Sequence, residues 1–375
     1  MLCSPATFLA LAAVAFAQSD RLIQIGIILR TPELSFIPEG RFVLQDKRGR
    51  SYELTANQKY RLEAADDGLK LGDVRLAYEA RFKSKRAQDA IRIGSKSYRG
   101  DVIVRLNAEG SLTVIEELNI ETYLLGVLPY EMEPNWPIEA LKSQAVVART
   151  FAYTQMGKYK KMGFDLTSDT RSQVYGGAKE VHPSIRRAVQ ETRGEVLGYK
   201  NQILSAYYHS CCGGHTTDPR SVWGSDSKSL PPLRGVKDRY CRASPLARWT
   251  AYFSNSDIAA ALQKNYDEAG PLKGLAIGSR DSAGRVKTFA VKLGPKTLEV
   301  PAIALRRWLG NTELKSSRVY GLRRRSKGIE FLGSGSGHGV GLCQWGARLQ
   351  ARKGRGYEQI LKFYFPGSVL SVIDE

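Results

Sequence analysis

Alternating apolar and polar residues mark the first third of the chain. From residue 22 to about residue 118 this pattern recurs in short runs such as IQIGIIL, RFVLQD, DVIVRLN and SLTVIEEL. Segments rich in turn-forming residues, such as KRGR, ADDG and NAEG, separate the runs. Because alternation with a period of two is typical of half-buried strands, residues 20–118 are predicted to form a β-rich N-terminal part.

The period changes after residue 136. Apolar residues recur at steps of three and four from Ile138 to Ala152, which predicts an amphipathic helix beginning near Pro137 and ending near Gly157. The chain then mixes helical and strand patterns, with an inserted strand and helix region around residues 255–330 and two short helices at the end. The fold class predicted is therefore α+β, with a mixed α/β core over residues 119–375 that carries a substrate cleft.

The N-terminal segment MLCSPATFLALAAVAFAQS is predicted to be a secretory signal peptide over residues 1–19. Its apolar run ends at Ala15-Phe16-Ala17, the small-x-small pattern of a cleavage site. The run lacks a preceding Lys or Arg, so a buried hydrophobic start is the alternative, and it is too short to cross a hydrocarbon core of about 30 Å. We expect an exported protein of the cell envelope or periplasm.

Composition and charge narrow the class of partner. With 42% hydrophobic and 25% charged residues the chain is typical of a globular protein, which excludes disorder as its main character. The 56 basic and 37 acidic residues give a net charge of +19, which favours a polyanionic partner. Export excludes nucleic acid and leaves the anionic glycans of the cell wall, with a solubilising surface charge as the alternative.

A single acid, Glu131, lies in the segment GVLPYEMEPNW just before the predicted helix. The sequence places it on a constrained loop between Tyr130 and Met132, with Trp136 nearby. Apolar neighbours desolvate a carboxyl group, raise its pKa and suit it to act as a general acid. A simple solvated loop glutamate is the alternative.

Histidine and cysteine residues cluster in the segment YYHSCCGGHTT and the later DRYC. Two histidines and two cysteines with this spacing could close a tetrahedral structural zinc site. The four expected ligands are His209, Cys212, His215 and Cys241. A disulfide from Cys211 or Cys212 to Cys241 and a catalytic Cys-His pair are the alternatives.

Six segments together resemble one known family, that of stage II sporulation protein D and the amidase enhancer. They are YLLGVLPYEMEPNWPIEALKSQAVVARTFA, SDTRSQVYGG, AYYHSCCGGHT, LRRWLGNTELKS, GSGSGHGVGLCQWGA and YEQILKFYFPG, in the order of the family and over about residues 90–370. The resemblance implies a peptidoglycan lytic transglycosylase of wall remodelling or sporulation. Such an enzyme cleaves glycan strands that lack stem peptides and leaves 1,6-anhydro-N-acetylmuramic acid ends.

The resemblance also implies roles for individual residues. Glu131 matches the catalytic glutamate of the family, and arginines could bind the lactyl carboxylates of the glycan. The expected substrate-binding residues are Arg149, Asp169, Gln173, Tyr175, Arg306, His338 and Gln344. Some family members bind zinc through the histidines and cysteines of the Y-H-S-x-C-G-G-H segment, but Cys211 and Cys343 depart from the usual pattern, and Cys343 is expected to be a buried thiol.

The same resemblance supplies an alternative function. Amidase enhancers are thought to activate a cell-wall N-acetylmuramoyl-L-alanine amidase or to bind the wall, so a binding module without turnover is the second reading. A zinc-dependent amidase is disfavoured because a metal with four protein ligands has no open position for water.

Overall fold

The N-terminal part of the protein is built from two antiparallel sheets. The computed structural model describes residues 16–17, 22–84, 86, 88–177, 180–266 and 270–374. The strands of these sheets are β2 (Leu22–Thr31), β3 (Glu33–Glu39), β4 (Phe42–Asp46), β5 (Ser51–Leu54), β6 (Tyr60–Ala65), β7 (Gly68–Leu71), β8 (Val74–Leu76), β9 (Glu79–Ser84), β10 (Ala90–Ile93), β11 (Lys96–Tyr98), β12 (Asp101–Leu106) and β13 (Leu112–Asn119). The short strand β1 (Phe16–Ala17) precedes them and pairs with the last strand of the chain.

The two sheets bury one face of each strand against the other sheet. Strand β4 alternates buried Phe42 and Leu44 with half-buried residues, as the alternating sequence predicts. One sheet has the order β11-β10-β3-β6-β7-β8, and in the other β2-β13-β12-β9-β4-β5 is continued by a short strand of the core. Phe36 and Phe82 meet edge to face at 4.7 Å between the sheets. The predicted β-rich N-terminal part is thus confirmed.

The helices are concentrated in the second part of the chain. They are α1 (Ile120–Glu131), α2 (Ile138–Gln155), α3 (Pro183–Glu191), α4 (Pro219–Trp223), α5 (Asn255–Gln263), α6 (Ala302–Leu309), α7 (Gln344–Ala351) and α8 (Tyr357–Tyr364). The remaining strands are β14 (Leu166–Thr167), β15 (Glu195–Tyr199), β16 (Gln202–Ile203), β17 (Tyr208–His209), β18 (Trp249–Ser254), β19 (Leu272–Ile277), β20 (Thr288–Leu293), β21 (Lys296–Pro301), β22 (Val319–Arg325), β23 (Gly328–Gly333), β24 (Leu342–Cys343) and β25 (Val369–Asp374).

Helix α1 replaces the loop that the sequence indicates around Glu131. Asn119 caps its N-terminus by accepting a hydrogen bond from the backbone N–H of Thr122. The pattern gave no helical signal because α1 is apolar nearly all round, and it contains Pro129 in its last turn. The expected loop is therefore wrong, and Glu131 is the last helical residue.

Helix α2 is the central element of the core. It packs against α1 and α3 on one side and against α7, α8 and β15 on the other. Its side chains accordingly divide between two hydrophobic clusters, one continuous with the N-terminal sheets and one shared with the C-terminal helices. The helix predicted after Pro137 is confirmed, and with it the α+β class.

The region that the sequence marks as an insertion, around residues 255–330, folds around a third hydrophobic cluster. Its strands form two three-stranded sheets, β18-β23-β22 and β19-β20-β21, with α5 and α6 packed on them. The limits of this region as a domain stay a prediction. Of the expected signal peptide, residues 1–19, only residues 16–17 are described. The signal peptide therefore lies almost wholly outside the described residues and also stays a prediction. No helix among the described residues is long and apolar enough to span a membrane.

Candidate active site

Glu131 lies at the C-terminal end of α1, where the backbone turns from helix to extended chain at Met132. The residues on either side of it differ in exposure, because Tyr130 is 44% exposed and Met132 is 3% exposed. The residue Glu131 is half-buried between them, and its carboxyl group is buried enough to raise its pKa. The end of the helix thus places one acid at the edge of the core.

Three hydrogen-bond donors converge on the Glu131 carboxylate. They are the phenol of Tyr208, the side chain of Gln344 and the backbone N–H of Val174. Burial raises the pKa of Glu131, and the three hydrogen bonds oppose this effect without cancelling it. Such a carboxyl group stays protonated to a higher pH than a solvated glutamate. The three donors still stabilise its ionised form, which suits a group that first gives and then takes a proton.

A chain of hydrogen bonds orients the Tyr208 phenol. Gln173, which is buried, donates from Nε2 to the Tyr208 hydroxyl at 3.0 Å and accepts at Oε1 from the Tyr123 hydroxyl at 3.1 Å. Because the Tyr208 oxygen accepts from Gln173, its own proton points to Glu131. Gln173 therefore acts on the site through Tyr208.

His338 holds the backbone of the same tyrosine. Its Nε2 lies 2.8 Å from the Tyr208 carbonyl oxygen, and its Nδ1 accepts from the N–H of Val340 at 3.1 Å. Burial lowers the pKa of His338 well below its usual range, so the imidazole is neutral with the proton on Nε2. His338 is a positioning residue for Tyr208.

Gln344 joins the site from the C-terminal part of the core. It is the first residue of α7, and its Nε2 lies 3.4 Å from Oε1 of Gln144 on α2. The structure thus brings Glu131, Gln173, His338 and Gln344 into one hydrogen-bonded group. Tyr208 and Gln144 belong to this group and were missed by the sequence reasoning, although Tyr208 directly precedes a residue that it singled out.

Gly176 permits the close approach of the loop beside this group. A Cβ atom at Gly176 would overlap the ring of Tyr130, the residue before Glu131. The loop after β14 therefore packs directly on the end of α1, which brings the N–H of Val174 to the carboxylate. A side chain at this position would force the Tyr130 ring to move.

Tyr175 and Asp169 lie on the same loop but point elsewhere. Tyr175 is buried and donates from its hydroxyl to the carboxylate of Glu116 at 2.8 Å. Burial raises the pKa of Glu116 to about 7. Asp169 is exposed and forms an ion pair with Arg171 at 2.8 Å. Neither side chain is among the groups around Glu131, and their binding of substrate stays a prediction.

Arg149 is part of the core. Its side chain is fully buried and makes two hydrogen bonds of 2.7 Å to the Glu121 carboxylate, while its Nη1 donates to the carbonyl of Glu195. A guanidinium group with these partners joins α1, α2 and β15 and has no face open to a ligand. The expected contact of Arg149 with substrate is corrected to a structural ion pair.

Arg306 fixes a loop. It is half-buried on α6 and donates to the carbonyl oxygens of Leu314 and Asn311 at 2.8 and 2.9 Å. Burial lowers the pKa of Arg306 to about 10, and the nearby guanidinium of Arg285 adds to this effect. The structure gives Arg306 backbone partners and no place among the donors around Glu131.

A cluster of potential metal ligands lies in the C-terminal part of the core. The ligand atoms of Cys212, Asp238, Cys241 and Cys343 are buried and lie within 4.8 Å of one another. Sγ of Cys212 is 3.3 Å from Sγ of Cys241 and 3.3 Å from a carboxylate oxygen of Asp238. Three sulfur ligands and one oxygen ligand make a donor set that fits a divalent cation such as zinc.

Further contacts favour the ionised, thiolate form of the cysteines in this cluster. Backbone N–H groups approach the sulfur atoms, from Cys212 to Cys343 at 3.2 Å and from Gly214 to Cys212 at 3.3 Å. Burial opposes ionisation of Cys212, but the neighbouring thiols of Cys241 and Cys343 outweigh it and lower the pKa of Cys212. Buried Arg285 donates to the carbonyl oxygen of Cys212 at 2.9 Å. Burial of the positively charged guanidinium group of Arg285 costs free energy. Thiolate anions nearby would offset that cost.

The two histidines of the expected metal site have other partners. Nδ1 of His209 lies 3.1 Å from the carbonyl oxygen of Val340, and Nδ1 of His215 lies 2.6 Å from that of Thr216. The group that could hold a metal ion contains Cys212 and Cys241 of the expected ligands, together with Asp238 and Cys343, and it does not contain His209 or His215. The cysteines at 211, 212, 241 and 343 are all free thiols, so the alternative of a disulfide is not formed in this structure. Asp238 stands three residues before Cys241, a spacing that could have marked it.

A separate cleft of about 920 Å³ shows where part of the positive charge lies. Three arginines, Arg242, Arg248 and Arg318, line it together with the exposed ring of Tyr320. No carboxylate is among its described lining residues, so it offers no acid for bond cleavage. The chemistry therefore points to Glu131 and its donors.

Comparison with known proteins gives matches along most of the chain. Residues 108–199 match the family model described as stage II sporulation protein, and residues 233–341 match a domain of unknown function. The first match contains Glu131 with its helices α1 and α2. The second contains Asp238, Cys241 and the region built around the third hydrophobic cluster.

Three relatives illustrate the similarity. An uncharacterised protein of Brachyspira hyodysenteriae is 34% identical over 301 residues, which are 80% of this chain and 78% of the relative. The amidase enhancer of Bacillus subtilis is 30% identical over 66% of this chain and 40% of its own length. Stage II sporulation protein D of Bacillus subtilis is 29% identical over 69% of this chain and 76% of its own. The chain thus spans less than half of the amidase enhancer.

Proposed function

Since the chain belongs to the family of stage II sporulation protein D and the amidase enhancer, we propose that it is a peptidoglycan lytic transglycosylase with Glu131 as its acid and base. Its substrate would be a glycan strand whose stem peptides have been removed. The observation that carries the proposal is half-buried Glu131, whose carboxyl group has a raised pKa and three convergent donors. A solvated surface glutamate would have none of these features.

The reaction needs only one carboxyl group. Glu131 gives its proton to the glycosidic oxygen as the bond from that oxygen to C1 of N-acetylmuramic acid breaks, and N-acetylglucosamine leaves with a free hydroxyl. The Glu131 carboxylate then takes the proton of the C6 hydroxyl of the same muramic acid while O6 bonds to C1. The 1,6-anhydro ring closes, the proton returns to Glu131, and no water is consumed. Because the nucleophile is intramolecular, the second carboxylate of an ordinary glycosidase is not required.

The surrounding donors assist each half of this cycle. Tyr208 and Gln344 stabilise the carboxylate that exists between the two proton transfers, and burial favours the protonated form that begins the cycle. His338 and Gln173 keep the tyrosine in place from its backbone and from its hydroxyl. The rigid group of side chains supports proton transfer at one fixed position.

The cluster around Cys212 is proposed to hold one zinc ion with a structural role. Cys212, Asp238, Cys241 and Cys343 would supply all four ligands, which leaves no position for a reactive water. When bound, the ion would join the loop after β17, the loop before β18 and the start of α7. Because α7 begins with Gln344, this ion would stabilise the segment that carries one of the Glu131 donors.

A second candidate function is an enhancer without turnover. The amidase enhancer of Bacillus subtilis, at 30% identity, favours it by its name. In this reading the chain would bind peptidoglycan and activate an N-acetylmuramoyl-L-alanine amidase. Either function takes place outside the cytoplasm, and we propose export to the cell envelope or periplasm on the basis of the N-terminal segment.

Mass spectrometry of digested glycan strands separates the two candidates. Peptide-free strands are incubated with the mature protein and with Glu131→Gln, which keeps the size of the side chain and removes its acid. The transglycosylase predicts anhydro-muramic ends with the unaltered protein and a loss of at least about 100-fold with the variant. If neither protein yields anhydro ends while both retain the strands, the enhancer is the better description.

A further inference from the structure

Two tryptophans and one arginine form a compact group beside the candidate active site. The ring centres of Trp136 and Trp345 are 5.2 Å apart, and the guanidinium carbon of Arg348 lies 5.0 Å from the first and 4.6 Å from the second. All three side chains are half-buried. The two rings hold the guanidinium group in one place by cation–π contact.

Connectivity places this group close to Glu131. Gln344, which donates to Glu131, begins α7, and Arg348 follows it by four residues on the same face of the helix, about 6 Å further along the axis. Trp136 lies five residues after Glu131, on the connection between α1 and α2. Trp136 packs against the cluster that is continuous with the N-terminal sheets and Trp345 against that of the C-terminal helices. The group therefore bridges the two cores at the same junction as Glu131.

Arg348 has hydrogen-bonding capacity that the protein does not use. Its Nε is buried without a hydrogen-bond partner, and no ion pair of Arg348 with a carboxylate is found among the described residues. The unpaired Nε is itself enclosed, so a ligand would meet the terminal amino groups, Nη1 and Nη2, of this half-buried side chain. A guanidinium group that is held by aromatic rings and free of an acid is suited to bind a carboxylate through two parallel hydrogen bonds.

The aromatic rings suit a sugar ring next to that carboxylate. A pyranose has apolar C–H faces that pack on an indole, and polar groups at its rim that need charged or polar partners. N-acetylmuramic acid combines such a ring with a lactyl carboxylate, which is free only when the stem peptide has been removed. In a peptide-bearing strand the same carbon is an amide, which carries no charge.

We propose that Arg348, held by Trp136 and Trp345, binds the lactyl carboxylate of a muramic acid residue next to the scissile bond and so selects strands without stem peptides. This inference rests on the proposed function for the identity of the ligand. Binding of the lactyl carboxylate was expected of Arg149 and Arg306, but both of those side chains have partners within the protein. Arg348 would bind it instead. Arg348 is a specificity-determining residue and takes no part in proton transfer.

A binding experiment without turnover tests the inference. All proteins carry Glu131→Gln, and calorimetry compares a peptide-free glycan tetrasaccharide with the same compound whose lactyl groups are carboxamides. We expect the parent to bind the carboxylate form about tenfold more tightly than the amide form. Arg348→Gln should bring this ratio to about one, and Arg348→Lys should leave an intermediate ratio, because lysine keeps the charge without the planar fork.

Arg307→Gln is the matched control. It removes an equal charge from an exposed position on α6, so it should keep the tenfold ratio. If Arg348 only supports the fold, its loss weakens both ligands together and leaves the ratio unchanged, which overturns the inference, as does a parent protein without preference. The measurement is independent of anhydro product formation, so the inference and the proposed function can fail separately.

Discussion

Nε2 of His338 lies 2.8 Å from the carbonyl oxygen of Tyr208, the residue whose phenol binds Glu131. A histidine in the middle of the glycine-rich segment thus fixes the backbone of a donor and does not itself touch the acid. Through this contact, a residue from the C-terminal part of the chain positions a hydrogen-bond donor to Glu131, which belongs to α1. Burial lowers the pKa of His338 and keeps it neutral, and its Nδ1 accepts from the backbone N–H of Val340.

Removal of the Tyr208 hydroxyl should change the pH dependence of the reaction. The phenol stabilises the ionised form of Glu131, so Tyr208→Phe should raise the pKa of Glu131 further. A general acid works in its protonated form, and activity falls as pH rises through its pKa. The alkaline limb of the profile for anhydro product formation should therefore move to higher pH. Tyr207→Phe, at the neighbouring position, is the control, and a limb that stays in place or moves down would contradict the assigned hydrogen bond.

Arg149 is predicted to stabilise the fold. Replacement by Ala leaves the Glu121 carboxylate without its partner at the edge of the core and should lower the free energy of unfolding by about 3–5 kcal/mol in a urea titration. The double replacement Arg149→Met with Glu121→Leu should recover much of this loss, because no unpaired charge remains. Equal losses in the single and double variants would show that the ion pair is not the source of the effect.

Buried His209 should make stability depend on pH. Burial lowers its pKa from 6.5 to about 3, so its neutral form is favoured in the folded state. The corresponding stability is present above pH 6.5 and is lost as pH falls toward about 3. At pH 5 the loss amounts to about 2 kcal/mol relative to pH 7.5. His209→Asn, which keeps a donor for the Val340 carbonyl, should make the urea midpoint less sensitive between these two pH values. His182→Asn controls for loss of an exposed imidazole, and an undiminished slope in His209→Asn would refute the assignment.

The β-rich part and helix α2 could be predicted from the sequence because each buries one face and exposes the other, as Phe42 and Leu44 do in β4. Helix α1 could not, because its sequence is apolar nearly all round and periodicity is weak for such a helix. Glu131 was identified as an acid in apolar surroundings, but its donors come from three distant parts of the chain. No spacing rule connects Val174, Tyr208 and Gln344.

The metal ligands and the arginines show a second feature that sequence patterns do not predict, namely which partners a side chain meets in the fold. A pattern of residue types predicts which side chains can ligate, and Cys212 and Cys241 do lie together. It does not predict that Asp238 and Cys343 reach them while the two histidines turn to backbone carbonyls. In the same way, the sequence does not distinguish an arginine that is paired inside the core, as Arg149 is, from one that packs against indole rings, as Arg348 does.

Metal content distinguishes the two ligand sets. Zinc bound by three cysteines and one aspartate predicts about one zinc ion per chain, with strong loss in Cys343→Ser and in Asp238→Asn. His215→Asn should retain the ion, because that histidine contacts the Thr216 carbonyl. Elemental analysis after purification without added chelator gives the result. Retention in Cys343→Ser together with loss in His215→Asn would restore the ligand set expected from the sequence.

The central claim is that Glu131 closes an anhydro ring without water. Digestion of peptide-free strands in water enriched with heavy oxygen, followed by mass spectrometry of the fragments, tests it most directly. The predicted result is anhydro-muramic ends that contain no heavy oxygen, formed by the unaltered protein and lost in Glu131→Gln. Fragments with ordinary reducing ends that carry heavy oxygen would mean hydrolysis by water and would contradict the claim.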